Sequence, residues 1–339
     1  MKKRFISSIL PIAGIIVIIL FISAKDRYKD RSFKRTQLLM GTIVEITVLE
    51  DEKVEAVEEA VEAALTEMKR LEHLLGRHQE GSDIWRVNMK VGEFVPVSDE
   101  TTALVKDSLK FSHLSGGAFD ITLGRLSELW NFEEERDAPP PDAEIRKSME
   151  GVGAGSVHLD ETKKTVKAAN GVHLDLGGIA KGYIIDSAAA LLVSKGVNNF
   201  IVNAGGDMVI KGKKGSQNWR VGIQHPRDQE KVLAHLDVED DETAIVTSGD
   251  YERYFIYEGK RYHHILDPFT GYPARGVISV TIKSRDAKTA DALSTAVFVL
   301  GPEKGMKLIE SLEGTEGMLV TEDEKILLSS GLKGKVVIR

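Results

Sequence analysis

Asp291 and Thr295 stand four residues apart in the otherwise apolar run Asp291-Ala292-Leu293-Ser294-Thr295. On a helix that spacing puts a carboxylate and a hydroxyl on one face. Hard oxygen donors so placed suit Mg²⁺, which usually completes its shell with phosphate oxygens. The plainer reading is a buried Asp–Thr hydrogen bond, and on either reading an acid among apolar neighbours needs a partner. A phosphate cradle is available upstream. Asp175-Leu176-Gly177-Gly178-Ile179-Ala180-Lys181-Gly182 runs from an expected strand through two glycines into a helix. Backbone N–H groups at such a helix start favour an anion, and Lys181 adds a positive charge. A tight turn bearing a surface lysine explains the same residues.

Two further segments repeat the pattern of a hydrophobic strand followed by polar turn residues. Asn203-Ala204-Gly205-Gly206-Asp207 ends on a carboxylate, and Thr247-Ser248-Gly249-Asp250-Tyr251-Glu252-Arg253 clusters hydroxyls with charges. Taken singly, each reads as a hairpin or a polar loop. His263-His264 precedes Ile265-Leu266-Asp267-Pro268. Neighbouring strand residues face opposite sides, so one imidazole at most meets a site, as an acid/base candidate, while the other is solvated or held in the core. Gly151-Val152-Gly153-Ala154-Gly155 lacks the third glycine of a dinucleotide fingerprint at the required spacing and runs into a strand, so it reads as a loop. Together these residue types imply a diphosphate held by glycine turns and a magnesium ion.

The elements that must position them follow from periodicity. Thr42–Leu49 alternates and is β-branched, a strand. Residues 52–75 place Val57, Val61, Leu65, Met68, Leu71 and Leu75 on one helical stripe. A second helix is expected over Thr101–Ser115, a proline-broken loop over Glu133–Asp142, and strands at Ser156–Leu159, Thr165–Ala168 and Val172–Asp175, with Asn170-Gly171 as a turn. A helix over Ile179–Ser194 ends at Gly196. Strands follow at Asn199–Ala204, Met208–Lys211, Trp219–Gln224, Lys231–Val238, Tyr254–Tyr257 and Val277–Ile282. A helix over Thr289–Leu300 stops at Gly301-Pro302, and Met318–Thr321 and Lys325–Leu328 close the chain. Antiparallel strands with a few packed helices make this an α+β pattern rather than regular βαβ alternation.

Composition bounds the function. The 339 residues, 42% hydrophobic and 29% charged, describe a globular chain with a substantial core. The absence of cysteine excludes disulfides, zinc–thiolate sites, thiol nucleophiles and a lipid-modified cysteine. The first 35 residues hold nine Lys/Arg and two Asp, leaving 36 basic and 50 acidic residues, a net of about −14, for the rest. That body is a poor surface for nucleic acid, and no nucleic-acid partner is expected. Lys2, Lys3 and Arg4 precede the uncharged stretch Phe5–Ala24, long enough to cross a bilayer. Residues 1–24 are therefore expected to be a signal peptide or, given the mediocre cleavage site at Ile22-Ser23-Ala24, a retained signal-anchor. Residues 25–36 read as a charged tether and 37–339 as the functional domain. Basic residues on both sides of the span leave its orientation open.

Seven blocks in order, MGTIVEITV from Met40, GGAFDITLG at Gly116–Gly124, DLGGIAKGYIID at Asp175–Asp186, NAGGD at Asn203–Asp207, TSGDYERYF from Thr247, HHILDPFTG at His263–Gly271 and DALSTA from Asp291, resemble the ApbE family of FAD:protein FMN transferases. The resemblance spans about residues 36–339. It implies an α+β, ApbE-like, T-fold-related two-part architecture with antiparallel sheets, packed helices and FAD in the cleft between the parts. The implied activity is Mg²⁺-dependent attack of a protein Thr or Ser hydroxyl on the FAD diphosphate, linking FMN to the acceptor through a phosphoester and releasing AMP. FAD pyrophosphatase action, with water as nucleophile, and a non-catalytic flavin-binding or assembly role are the alternatives. The implied acceptors are extracytoplasmic flavoproteins such as subunits of Rnf complexes and sodium-translocating NADH:quinone reductases. That places the catalytic domain outside the bacterial cell membrane on a single-pass anchor.

Residue by residue, the resemblance assigns Met40, Ala118, Phe119, Asp120, Asp175, Lys181 and Leu266 to FAD. It assigns Asp291, Thr295 and the main-chain carbonyl of Gly178 to the metal, and His264 to deprotonation of the acceptor. Asp291 would also serve catalysis by holding the ion. Arg77-His78 stands where the family often carries a flavin-stacking aromatic, and Ser294 where some members carry an acid.

Overall fold

The computed structural model describes residues 32–49, 54–134 and 136–339. The chain-order elements are β1 (Ser32–Leu39), β2 (Thr42–Leu49), α1 (Val54–Leu75), α2 (Asp83–Met89), β3 (Val95–Pro96), α3 (Asp99–Leu114), α4 (Gly124–Trp130) and α5 (Asp142–Ser148). Next come β4 (Val157–Asp160), β5 (Thr165–Ala168), α6 (Gly177–Ser194), β6 (Phe200–Ala204), β7 (Asp207–Lys211), β8 (Trp219–His225), β9 (Asp228–Val238) and β10 (Glu242–Gly249). The chain closes with β11 (Tyr254–Tyr257), β12 (Lys260–His263), β13 (Val277–Ser284), α7 (Ala287–Glu310), β14 (Glu316–Thr321), β15 (Ile326–Leu328) and β16 (Val336–Ile338).

Eight strands form the central sheet in the order β1-β2-β6-β7-β10-β13-β14-β15, antiparallel throughout. Alternation along β2 buries Val44, Ile46 and Val48 against the stripe of α1, where Val57, Val61, Leu65, Met68 and Leu71 are buried. Helices α6 and α7 complete that layer, packing on each other and on the sheet. The opposite face carries Ile201, Met208, Ile210, Ile245 and Ile278, covered by Trp219, Val221, Ile223, Leu233 and Leu236 of the three-stranded sheet β16-β9-β8. The result is a mixed α/β architecture of helix, sheet and sheet layers. A satellite core of Leu126, Trp130, Ile145 and Leu266 sits under the β11–β12 hairpin, ringed by Phe132, Phe255, Tyr262 and Tyr272.

Most expected elements are present within a residue or two, and four expectations change. The charged segment expected as a tether up to residue 36 is strand β1 from Ser32 onward, paired with β2 from Ser32↔Leu49 to Leu39↔Thr42. Its side chains are almost all exposed, so backbone pairing rather than an apolar face holds it. Val172–Asp175 is not a strand. The Asn88 side chain takes both backbone groups of Leu174 (Leu174 N to Oδ1 2.7 Å, Nδ2 to Leu174 O 2.9 Å), and Asp175 N donates to Ile121 O at 2.8 Å. The last long helix does break at Gly301, which adopts φ +74°, but it resumes from Pro302 to Glu310 because proline is well suited to a helix's first turn. Helices α2, α4 and α5 and the short strands β3 and β16 occupy residues that carried no expected element. The expected membrane span lies outside the described residues, and among those residues no helix is long and apolar enough to cross a membrane.

Candidate functional site

At one end of the central sheet, the turns Met40-Gly41 and Gly205-Gly206 and the segment Thr247–Glu252 gather beside the N-terminal half of α6. Register forces this, because β2, β6, β7 and β10 are paired antiparallel and their connections return to the same edge. Gly205 and Gly206 adopt φ +65° and +103°, and a Cβ on Gly205 would lie 2.3 Å from Thr42 Oγ1. Only glycine lets the β6–β7 turn press on the start of β2. The next residue, Asp207, is buried. Its Oδ1 accepts from Thr247 N at 2.9 Å and it is ion-paired with Lys181. The lysine expected to hold the cofactor is thus already bound to a carboxylate, which holds its ammonium charged despite its surroundings.

The approach of α6 to α7 builds the second part. A Cβ on Gly182 would sit 2.2 Å from the Ala287 carbonyl oxygen, so the helices touch backbone to backbone there. That contact lets Gly182 N donate to Asp291 Oδ2 at 2.9 Å. In a regular helix this N–H serves the Gly178 carbonyl, and sharing it weakens its hold on that oxygen. One turn earlier, a Cβ on Gly178 would lie 3.2 Å from both Thr295 Oγ1 and Phe119 Cε2. Asp186 fastens the start of α7, accepting from Ala287 N at 2.7 Å and Lys288 N at 2.8 Å. Gly178, Asp291, Thr295 and Phe119 therefore meet at one place. Burial and the neighbouring Asp207 push the Asp291 carboxyl up, with Lys181 opposing. The Ser294 hydroxyl turns to Ser248 (2.8 Å) and the Asp291 carbonyl (2.9 Å), toward the sheet.

These residues fit a hard divalent ion. Only Oδ2 of Asp291 is engaged by Gly182 N, and one ammonium, that of Lys181, stands against the two neighbouring carboxylates of Asp207 and Asp291, so a further cation would be favoured beside Asp291. No group of three or more His, Asp or Glu able to hold a metal occurs among the described residues. The donor set is thus one carboxylate, one hydroxyl and peptide oxygen. Such a set suits Mg²⁺ with its shell completed by a ligand's phosphates and water.

The two histidines divide as alternation requires. His263 is buried, bonded through Nε2 to Ala274 O at 2.9 Å, with its ring edge-on to Phe298. His264 donates its backbone N–H to Arg253 O at 3.1 Å, and its Nδ1 is buried without a partner. Burial, then the Arg253 charge, pushes its imidazole down to about 3, so the ring is neutral near pH 7. Met40 occupies the β1–β2 turn at φ +53° and donates N–H to Glu72 Oε1 at 2.7 Å. A Cβ on the adjoining Gly41 would lie 3.4 Å from Arg253 Nη2. Arg253 thus links the Met40 turn to His264.

Asp175 opens α6. Its Oδ1 accepts from Gly177 N at 2.9 Å, and Oδ2 meets Arg77 Nε at 3.1 Å. Ala118 and Phe119 are buried, with Phe119 edge-on to Phe111. Asp120 accepts from Thr122 N at 2.7 Å and from its hydroxyl at 2.5 Å, and burial pushes its carboxyl up. Leu266 is buried in the satellite core and bridges Pro273 through its backbone. Sequence reasoning gave no role to Asp207, Arg253 or Arg77. The first had a signal, as a carboxylate directly after a glycine pair.

A family model described as the ApbE family matches residues 40–319. A Treponema pallidum protein named FAD:protein FMN transferase is 34% identical over 333 residues, covering 93% of this chain and 91% of its own length. A Vibrio cholerae protein of the same name is 34% identical over 257 residues, 74% of this chain and 76% of its own. Among solved structures, the ApbE protein of Thermotoga maritima aligns with a TM-score of 0.83 at 39% identity, over 90% of this chain and 99% of that one. The Vibrio cholerae flavin transferase ApbE aligns at 0.79 and 29% identity over the same shares. By sequence and by fold, the chain belongs to the ApbE family.

Proposed function

We propose that this enzyme transfers FMN from FAD to a Thr or Ser hydroxyl of an acceptor flavoprotein and releases AMP. The observation that carries the reading is the convergence of Asp291, Thr295 and Gly178 at the α6–α7 contact, beside the opening turn of α6 and the Lys181–Asp207 pair. Mg²⁺, when bound by Asp291, Thr295 and the Gly178 carbonyl, supplies positive charge that offsets the diphosphate. The names of the relatives support FAD as the donor and a protein as the acceptor.

The chain's own residues would do the rest. Met40, Ala118, Phe119, Asp120, Asp175, Lys181 and Leu266 would contact FAD, as the resemblance to the family assigns them. Asp175 and the Gly177–Gly178 turn orient the start of α6 toward an anion. The acceptor oxygen forms a bond to the phosphorus of the FMN half, the bond from that phosphorus to the bridging oxygen breaks, and AMP leaves. The acceptor proton would pass to the His264 imidazole, which is neutral. Residues 1–24 would anchor the enzyme in the bacterial cell membrane with its catalytic domain outside, facing exported acceptors of the Rnf or sodium-translocating NADH:quinone reductase type.

Incubation with FAD, Mg²⁺ and a threonine-bearing acceptor tests this. Covalent FMN on the acceptor with one AMP per FMN supports transfer. Free FMN and AMP without labelled acceptor would make the enzyme an FAD pyrophosphatase, and unchanged FAD would leave only binding.

A further inference from the structure

We propose that Phe269 is a stacking platform for a planar heteroaromatic ring of the bound dinucleotide. The inference rests on the reading of this chain as an FAD-dependent enzyme. Phe269 is 64% exposed, a large apolar surface to leave in water. Among the described residues the other exposed aromatics are accounted for. Phe94 lies under Lys167 Nζ at 4.8 Å, and Tyr254 under the Arg261 guanidinium at 3.7 Å. Among the described residues Phe269 has neither a cation nor another ring against it.

Its loop is pinned, so the exposure is built in. Asp267 Oδ1 accepts from Phe269 N and the Asp267 carbonyl from Gly271 N, each at 2.8 Å, while Asp267 N donates to Tyr272 O at 2.8 Å. Trp130 Nε1 grips the Gly271 carbonyl at 2.8 Å, and a Cβ on Gly271 would fall 2.7 Å from Ile145, so the loop is pressed onto the satellite core. Only the tip, Phe269 and Thr270, faces out.

The ring also lies beside the segment that leads to the site. A Cβ on Gly117 would begin 3.5 Å from Phe269 Cζ, and Gly117 directly precedes Ala118-Phe119-Asp120, whose Phe119 approaches Gly178, the residue that Thr295 also approaches. A Cβ on neighbouring Gly116 would meet nothing within 4 Å. The arrangement is an aromatic wall over a side-chain-free strip that ends at the proposed diphosphate site. A flat ring attached to that diphosphate fits such a slot and gains stacking energy from the Phe269 face. FAD carries two such rings, isoalloxazine and adenine, and either supplies the chemistry.

Calorimetric titration of the full-length protein with FAD, FMN and AMP, each separately, tests the platform in wild type, Phe269→Ala, Phe269→Leu and Phe269→Trp. The expected result is a loss of roughly fivefold to a hundredfold in affinity for either FMN or AMP in Phe269→Ala. An FMN loss assigns isoalloxazine, and an AMP loss assigns adenine. Phe269→Trp should restore binding and, if isoalloxazine is the partner, quench flavin fluorescence; Phe269→Leu should not restore it. Unchanged affinity for both FMN and AMP in Phe269→Ala, or full restoration by leucine, would overturn the platform while leaving the FAD reading intact. A wild-type protein that bound neither FAD nor either half would overturn both. The residue is exposed, so unchanged thermal unfolding is expected in all three variants.

Discussion

Gly182 donates its backbone N–H to Asp291 across the crossing of α6 and α7, at 2.9 Å, from a position where any Cβ would strike the Ala287 carbonyl. A glycine inside a helix costs about 1 kcal/mol relative to alanine. Here that cost is offset by bringing a carboxylate, a hydroxyl and the Gly178 peptide to one point.

Gly182→Ala is therefore expected to force the helices apart rather than stabilise α6. Overpacking against backbone cannot be relieved by a rotamer change, so a loss of about 2–3 kcal/mol is expected. Urea unfolding measures it. FMN transfer should fall further than the folded fraction does, because Asp291 loses its aim. A variant as stable as wild type with normal transfer would show that the close crossing is not needed.

Asp291→Asn separates charge from shape. The amide oxygen can keep the Gly182 N–H bond, while a negative charge buried near Asp207 disappears. Thermal stability should hold or rise slightly. Transfer, measured as AMP release, should drop by about 10²-fold or more, as when a site loses a main electrostatic contributor. Wild-type turnover in this variant would remove the metal assignment.

Much of this was legible in sequence, for identifiable reasons. Strand β2 and helix α1 carry strong periods, and Asp291 and Thr295 share a face at four-residue spacing. Alternation of His263 and His264 left the second ring either solvated or in the core, and the structure holds His263 in the core. The close crossing was hidden, because the need for glycine at 182 depends on which backbone lies opposite. Strand β1 was hidden because its mostly exposed side chains, Lys34 and Arg35 among them, leave no apolar alternation. Val172–Asp175 misled because alternation reports burial, whereas Asn88 decides where the Leu174 backbone bonds go. The Lys181–Asp207 pair joins residues 26 positions apart on a helix and a strand end, a distance that no local pattern encodes.

His264→Ala should slow transfer by about 10²- to 10⁴-fold, the usual span for a general base. FAD affinity, followed by titration, should stay within about twofold because the ring's assigned task is the acceptor proton. Collapse of flavin affinity with normal reaction of whatever cofactor remains bound would give the imidazole a binding role instead.

Stability against pH isolates His263. Its imidazole is pushed down to about 4, chiefly by burial and further by Arg275 and Arg261, against the Ala274 hydrogen bond and Asp250. The folded value lies below the unfolded one, so its contribution is fully present above pH 6.5. It is lost as pH falls from there toward 4, when the unfolded chain takes up a proton that the folded chain refuses. His264 acts in the same direction. Asp186 and Asp291, both pushed up to about 7, act in the opposite one, since their folded forms take up protons first. The wild-type profile thus mixes signs, and a difference measurement is needed. His263→Gln, whose amide can still donate to the Ala274 carbonyl, should lose its stability deficit relative to wild type at about 1.4 kcal/mol per pH unit between 6.5 and 4. Parallel unfolding curves for the two proteins across that range would show that His263 is protonated in the folded state.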